Sequence, residues 1–479
     1  GAGATFYGEY KKEELYKVVS FGERHGFKVF SWQFPNMTQE LAQELLPECP
    51  KEELPITRNK NDEEEKLPVY IDFSHPRAKE LLAAQWKDRM DAGIRGSMVD
   101  FGDVVPDEAV FYDGRRGDEM HNAYAYQYAK NYRELFEQKY GDDHVLYTRG
   151  AAPGSQHFAC QFGGDQLTSF QGLKYAIAGG LSAAASGLPF WGVDAGGYDG
   201  FPDQETYLRW TEYAAFCPLM RFHGTEPREP WEYDAFTVKV YRYYTWLREN
   251  LRPYIVSVAA EAHKLGIPMM RPLAMMYPED QEATKVWDEY LFGEDLLVAP
   301  VSDETEEREI YFPEGRWISL WNLNDEISGP VQRSVEVPID KIPVYIREGS
   351  FLPLRLNESL KLGESMSESE TEMILAVVPQ NDSIVKETLY ERSGAKTCCG
   401  MEKNGETIQL QISGRTAELY VMLAGIHWKN TEAIVNGRTL TKVTAREGLY
   451  FTEGYLELEE GILVKINPSA ESVIKIQKK

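Results

Sequence analysis

Nowhere does the chain carry the roughly 20 consecutive apolar residues that a membrane-crossing helix needs. It also lacks a surplus of positive charge. Lys and Arg number 51 against 76 Asp and Glu, a net charge of −25, which is the wrong sign for gripping a phosphate backbone. No membrane and no nucleic acid is therefore expected among its partners. Cysteine is scarce: Cys49, Cys160, Cys217, Cys398 and Cys399 are odd in number and scattered, and the adjacent pair has no second pair at zinc-like spacing. They read as free thiols of a reducing compartment, so a cytoplasmic location is expected. No signal peptide is visible after Gly1. Histidine pairs at metal-binding spacing, a glycine-rich phosphate loop and a G-x-S-x-G elbow are all absent, so no metal or cofactor is expected and serine or cysteine nucleophiles are disfavoured.

What is present suits a large soluble protein. A length of 479 residues with 43% hydrophobic content predicts two to four domains. The 12% aromatic fraction suits sugar-binding clefts and large cores alike. Up to about residue 265, apolar strands alternate with helices. Helical spacing is read over 11–25, 37–47, 77–92, 118–139, 167–185 and 234–264, the last broken at Pro253. Strands are read near residues 29, 96, 145, 159, 189 and 219. Such alternation predicts a parallel sheet closed by crossovers. Polar residues stand at the C-terminal ends of its strands: Asp100, Arg149, Asp165, Asp194 and His223. That is how a (β/α)8 barrel assembles a site on one face. A polar loop is read from Lys51 to Lys66 and an acidic, serine-rich linker from Glu364 to Glu372. From about residue 287 short β-rich runs alternate with turns, as in antiparallel β-sandwiches. The expected domains are a partial barrel over 1–286, a proximal β-sandwich over 287–360 and a distal β-rich domain over 361–479.

Asp100 and Asp165 both follow apolar strands and both have glycine beside them, at Gly102 and at Gly163-Gly164. Two carboxylates converging on a barrel mouth suit glycoside hydrolysis, one attacking the anomeric carbon while the other protonates the leaving oxygen. Either could instead cap a following helix. Arg149 could hold sugar hydroxyls or pair with one of the acids. His223 could do the same or sit satisfied at a strand end. Phe162, Trp191 and Tyr198 could wall a sugar ring or belong to the core.

Six segments resemble glycoside hydrolase family 31. Met98-Val99-Asp100-Phe101-Gly102-Asp103 is similar to its nucleophile segment, and Phe162-Gly163-Gly164-Asp165 to its acid/base segment. Pro189–Gly197 resembles its Phe-Trp-x-x-Asp-Ile-Gly-Gly signature, and Arg221-Phe222-His223-Gly224 its Arg-x-His-Gly. Phe292–Pro300 with Pro343–Gly349 resembles its first C-terminal β-domain. The resemblance implies a (β/α)8 barrel followed by β-sandwich domains and a retaining α-glycosidase acting on α-glycosides or oligosaccharides. Asp100 would be the nucleophile and Asp165 the acid/base, roughly 5–5.5 Å apart. Arg149 and His223 would bind the sugar, with Asp194 and the aromatic residues around it. Met98, two before the nucleophile, and Tyr198 after Gly196-Gly197 resemble the sulfoquinovosidases within a branch that also holds α-xylosidases and α-glucosidases. A non-catalytic carbohydrate-binding relative is the alternative from another class, and self-association is left open. Asp103 stands where the family more often has Glu. The family's N-terminal sandwich and first two barrel strands find no counterpart here. Either the chain is a fragment or another chain completes the barrel, and by itself it is expected to be inactive or poorly soluble.

Overall fold

The computed structural model describes residues 3–6, 12–58, 69–366, 372–381, 383–415 and 417–479. The expected polar loop lies outside the described residues beyond Arg58, and so do residues 367–371 of the expected acidic linker. The chain forms two compact units, Gly1–Gly164 and Asp165–Lys479.

The first unit is built on five parallel strands: Gly3–Phe6, Lys28–Gln33, Gly96–Val99, Val145–Thr148 and Cys160–Phe162, each paired with the next. Gly3–Phe6 is a strand the sequence reading did not foresee; four residues are too few to display a period. The crossovers are the helices Lys12–Arg24, Ala78–Asp91 and Gly117–Tyr140. Side chains alternate between the faces of a strand, and here the alternation divides structure from site. Val29, Val99 and Leu146 point to the helices and join Leu82, Trp86, Tyr128 and Phe136 in one core. Each such side chain contributes roughly 1.5–3 kcal/mol by leaving water. The buried indole of Trp86 is satisfied, its Nε1 donating to Tyr132 Oη at 3.1 Å. Phe30, Trp32, Met98, Asp100, Tyr147 and Arg149 have the opposite parity and occupy the other face.

The second unit opens with two parallel strands, Trp191–Asp194 and Leu219–Arg221, and the helices Phe170–Ala185, Gln204–Ala215, Ala235–Asn250 and Arg252–Leu265. The last two meet beside Pro253, as the sequence indicated. Gln204–Ala215 was not foreseen. From Thr206 to Ala215 every residue is buried, so no polar stripe marks a helical period. Asp203 caps the helix, accepting from the Thr206 amide at 2.8 Å. Inside it, Arg209 pairs with Glu212 at 3.2 Å and also donates to the carbonyls of Val337 (2.7 Å) and Pro338 (3.1 Å). The charges that look like a solvated face in the sequence thus bolt the helix to the 337–341 loop. Burial pushes the Glu212 carboxyl up to about 8 against the pull of Arg209.

Three further sheets complete this unit. A six-stranded antiparallel sheet starts at Met270–Pro272 and includes the long hairpin Glu307–Ser319/Glu326–Glu336. A five-stranded sheet (Phe351–Leu356, Glu372–Val377, Leu419–Ala424, Gly461–Ile466, Gly454–Glu457) faces a six-stranded one through a shared core that includes Val421, Val464, Leu410 and Ile474. The other side of the five-stranded sheet, with Leu352, Ile374 and Met422, packs into the core that holds the helices. Covered on both faces, Leu419–Ala424 and Gly461–Ile466 are buried at every position, which is why the first reads as an unbroken apolar run and the second is interrupted only by Lys465.

Candidate active site

Asp100 is the residue that leaves the Gly96–Val99 strand, almost fully buried. A carboxylate taken out of water needs donors, and three surround it. Trp32 Nε1 donates to Oδ2 at 2.9 Å from the neighbouring strand. The amide of Phe101 donates to Oδ1 at 2.8 Å. The Arg149 guanidinium lies 3.6 Å from Oδ1. Phe101 reaches this position with φ of +57°. That left-handed conformation costs a non-glycine residue about 1–3 kcal/mol. Arg149 stacks on the Phe101 ring with its guanidinium carbon 4.1 Å from the centroid and lies 3.4 Å from Asp103. Arg149 thus bridges two acids, and Asp103 has a defined partner. Met98 is buried on the same face. Phe162 packs edge-on against Tyr147, centroids 5.9 Å apart. Trp32 was not singled out from the sequence, although its place at the C-terminal end of a parallel strand is the signal that would have found it.

The remaining candidates lie in the second unit. Asp165 is its first residue and is exposed, following Gly164 with φ of +74°. Asp194 is buried and pairs with Arg221 at 2.5 Å. Burial pushes its carboxyl up to about 6, against the pull of Arg221 and with the charge of Asp165 adding to the rise. His223 lies against Tyr198, ring centroids 5.1 Å apart. Burial, then the positive charges of Arg221 and Arg228, lower its pKa to about 4, so the imidazole is neutral at ordinary pH. Trp191, read from the sequence as a wall for a sugar ring or as core, lies against the helix Phe170–Ala185, where a Cβ on Gly180 would come within 2.8 Å of the indole. Trp191 and Asp194 are three residues apart on one strand, which puts them on opposite faces.

A residue the sequence reading passed over ties this half together. Arg228 is 6% exposed and donates to five backbone carbonyls. Nε reaches Gly197 at 3.1 Å; one terminal nitrogen reaches Glu226 (2.9 Å) and Pro227 (3.1 Å), the other Tyr198 (3.0 Å) and Gly200 (2.6 Å). It fastens the loop after Asp194 to the loop after His223. Two motif glycines make the approach feasible. A Cβ on Gly224 would stand 2.4 Å from the guanidinium, and one on Gly197, whose φ is +77°, would stand 2.6 Å from the Leu167 carbonyl.

Residues 9–258 match the glycosyl hydrolases family 31 TIM-barrel domain, and residues 266–352 match that family's C-terminal domain. The chain belongs to glycosyl hydrolase family 31. An isomaltosyltransferase of Sporosarcina globispora is 32% identical over 84% of the chain and 39% of its own length. An α-xylosidase of Emericella nidulans is 32% identical over 59% and 38%, and the sulfoquinovosidase of Escherichia coli 32% over 58% and 43%. The chain therefore spans about two fifths of the length of these curated relatives. The structure of a cycloalternan-forming enzyme from Listeria monocytogenes superposes with a TM-score of 0.89 at 24% identity, over 99% of this chain and 48% of that one. That likeness is one of fold. The TIM-barrel assignment and the antiparallel sheets that follow it both stand. The transferase among the relatives was not anticipated. Among the described residues no helix is long and apolar enough to cross a membrane.

Proposed function

We propose that this family 31 chain carries the catalytic machinery of a retaining α-glycosidase acting on terminal α-linked sugars of the glucose or xylose type. The observation that carries the reading is the grip on Asp100: an indole N–H, its neighbour's amide and a guanidinium aim one strand-end carboxylate. In the proposed reaction Asp100 attacks the anomeric carbon, the glycosidic bond breaks, and Asp165 gives its proton to the leaving oxygen. Water then attacks the same carbon, passes its proton to Asp165 and frees Asp100. Arg149 and His223 hold sugar hydroxyls, and a neutral His223 can donate through one ring nitrogen and accept through the other.

A second reading has its own support. The isomaltosyltransferase matches 84% of the chain, more than the hydrolases named above. Transfer uses the same glycosyl-enzyme, with a sugar hydroxyl taking the place of water. The deciding experiment assays aryl α-glucoside, α-xyloside and α-sulfoquinovoside on this chain and on a version extended upstream, with product analysis separating hydrolysis from transfer. Asp100→Ala and Asp165→Ala are each expected to lower turnover by about three orders of magnitude. A 5-fluoroglycosyl fluoride should add one sugar to the peptide that contains Asp100. Turnover unaffected by either substitution, or no turnover in any form, would overturn the proposal.

A further inference from the structure

Among the large apolar side chains exposed to solvent beyond Asp165 are Leu167, at 52% exposure, and Phe201, at 48%. Single exposed apolar residues are ordinary. What distinguishes these two is how firmly they are held. Residues 166–168 run alongside 198–200: the Tyr198 amide donates to the Gln166 carbonyl at 2.7 Å, Leu167 bridges Asp199, and Thr168 Oγ1 donates to the Asp199 carbonyl at 2.8 Å. The Phe201 ring lies on Tyr233 (centroids 5.0 Å, planes 22° apart), and Tyr233 lies on buried Tyr207 (4.8 Å, 28°). Both tyrosine hydroxyls are tied to backbone, Tyr233 to the Pro202 carbonyl at 2.8 Å and Tyr207 to that of Arg228 at 2.9 Å. Phe201 therefore tops a three-ring stack on a loop that Arg228 already fastens.

We propose that Phe201 and Leu167 form an apolar subsite for the second ring, the leaving-group sugar, of an α-linked oligosaccharide. The inference rests on the reading of Asp165 as the acid/base. The group that protonates the glycosidic oxygen lies on the leaving-group side of the scissile bond. Leu167 is two residues from Asp165, and its segment runs beside the one that leads to Phe201. A pyranose offers a face of C–H groups that stacks on an aromatic ring, and a ring fixed in advance loses little freedom on binding.

The test compares two substrates with the same glycosyl group, an α-linked disaccharide and the α-glycosyl fluoride. Fluoride leaves without a second ring and so does not use the subsite. Phe201→Ala and Leu167→Ala should each lower kcat/KM for the disaccharide about tenfold and change that for the fluoride by less than about twofold. Phe201→Tyr should restore the disaccharide value. Equal losses on both substrates, or no loss on the disaccharide, would overturn the subsite. If wild type turns over neither, the proposed function fails and the subsite is judged by binding. Isomaltose should bind more tightly than glucose, and the preference should vanish in Phe201→Ala. Equal binding of the two sugars by wild type would overturn it.

Discussion

Replacing Arg228 with Met keeps most of the side chain's volume and removes every donor. Of its five acceptors, three belong to the far loop, the carbonyls of Gly197, Tyr198 and Gly200. Tyr198 keeps the Thr225 amide at 2.9 Å, so the loss falls on Gly197 and Gly200. An abandoned buried acceptor costs about 1–3 kcal/mol. Some water will reach Gly200, so about 3 kcal/mol for the pair is a reasonable sum. Each 1.4 kcal/mol is tenfold in an equilibrium, and the two loops should therefore open about a hundred times more often. Amide hydrogen exchange reads this directly. Peptides covering 197–203 and 223–229 should exchange about two orders of magnitude faster, while the Gln204–Ala215 helix keeps its protection. Arg228→Lys should recover little, because an ammonium cannot span the five carbonyls as the guanidinium fork does. Protection within threefold of wild type in both loops would refute the reasoning.

Trp32→Phe deletes the indole donor to Asp100 while keeping an aromatic ring, so kcat/KM on an aryl α-glycoside should fall about tenfold with little change in melting temperature; unchanged kinetics would show that the indole does not orient the proposed nucleophile. The pH dependence of stability should carry two opposed contributions. His223 has its pKa lowered to about 4, so its contribution is complete above the unfolded value near 6.5 and is lost as pH falls through 4. Asp194 has its pKa raised to about 6, so its contribution is complete below the unfolded value near 3.8 and is lost as pH rises through 6. Between pH 6.5 and 4, melting curves of His223→Asn should fall less steeply with acid than those of wild type, and those of Asp194→Asn more steeply. Arg209→Met strips the donors from the Val337 and Pro338 carbonyls; with each abandoned buried acceptor costing about 1–3 kcal/mol, a loss of about 3 kcal/mol is expected in denaturant unfolding, and an unchanged midpoint would count against the bolt.

The alternation of strand and helix was readable because a half-buried helix and a buried strand impose different periods on their apolar residues. Helices such as Ala78–Asp91 and Gly117–Tyr140 fall where their spacing put them. Gln204–Ala215 escaped because a helix buried on all sides has no period to read, and its Arg and Glu resemble a wet surface. Trp191 is a different case. Its residue type left wall and core both open, yet its separation from Asp194 is odd, so the face it occupies was already encoded in the strand period.

By itself the sequence determined the class of fold, the strand ends at which polar residues emerge, and the family, because periodicity and motif order are local properties of the chain. Tertiary structure decided which partners those residues meet. Trp32 and Asp100 are 68 positions apart, and Arg228 reaches carbonyls about 30 residues upstream. No spacing rule links such pairs, since the backbone distance between them is set by packing of whole elements. Hydrogen bonds of about 3 Å depend on that packing, and the chemistry proposed for Asp100 depends on those bonds.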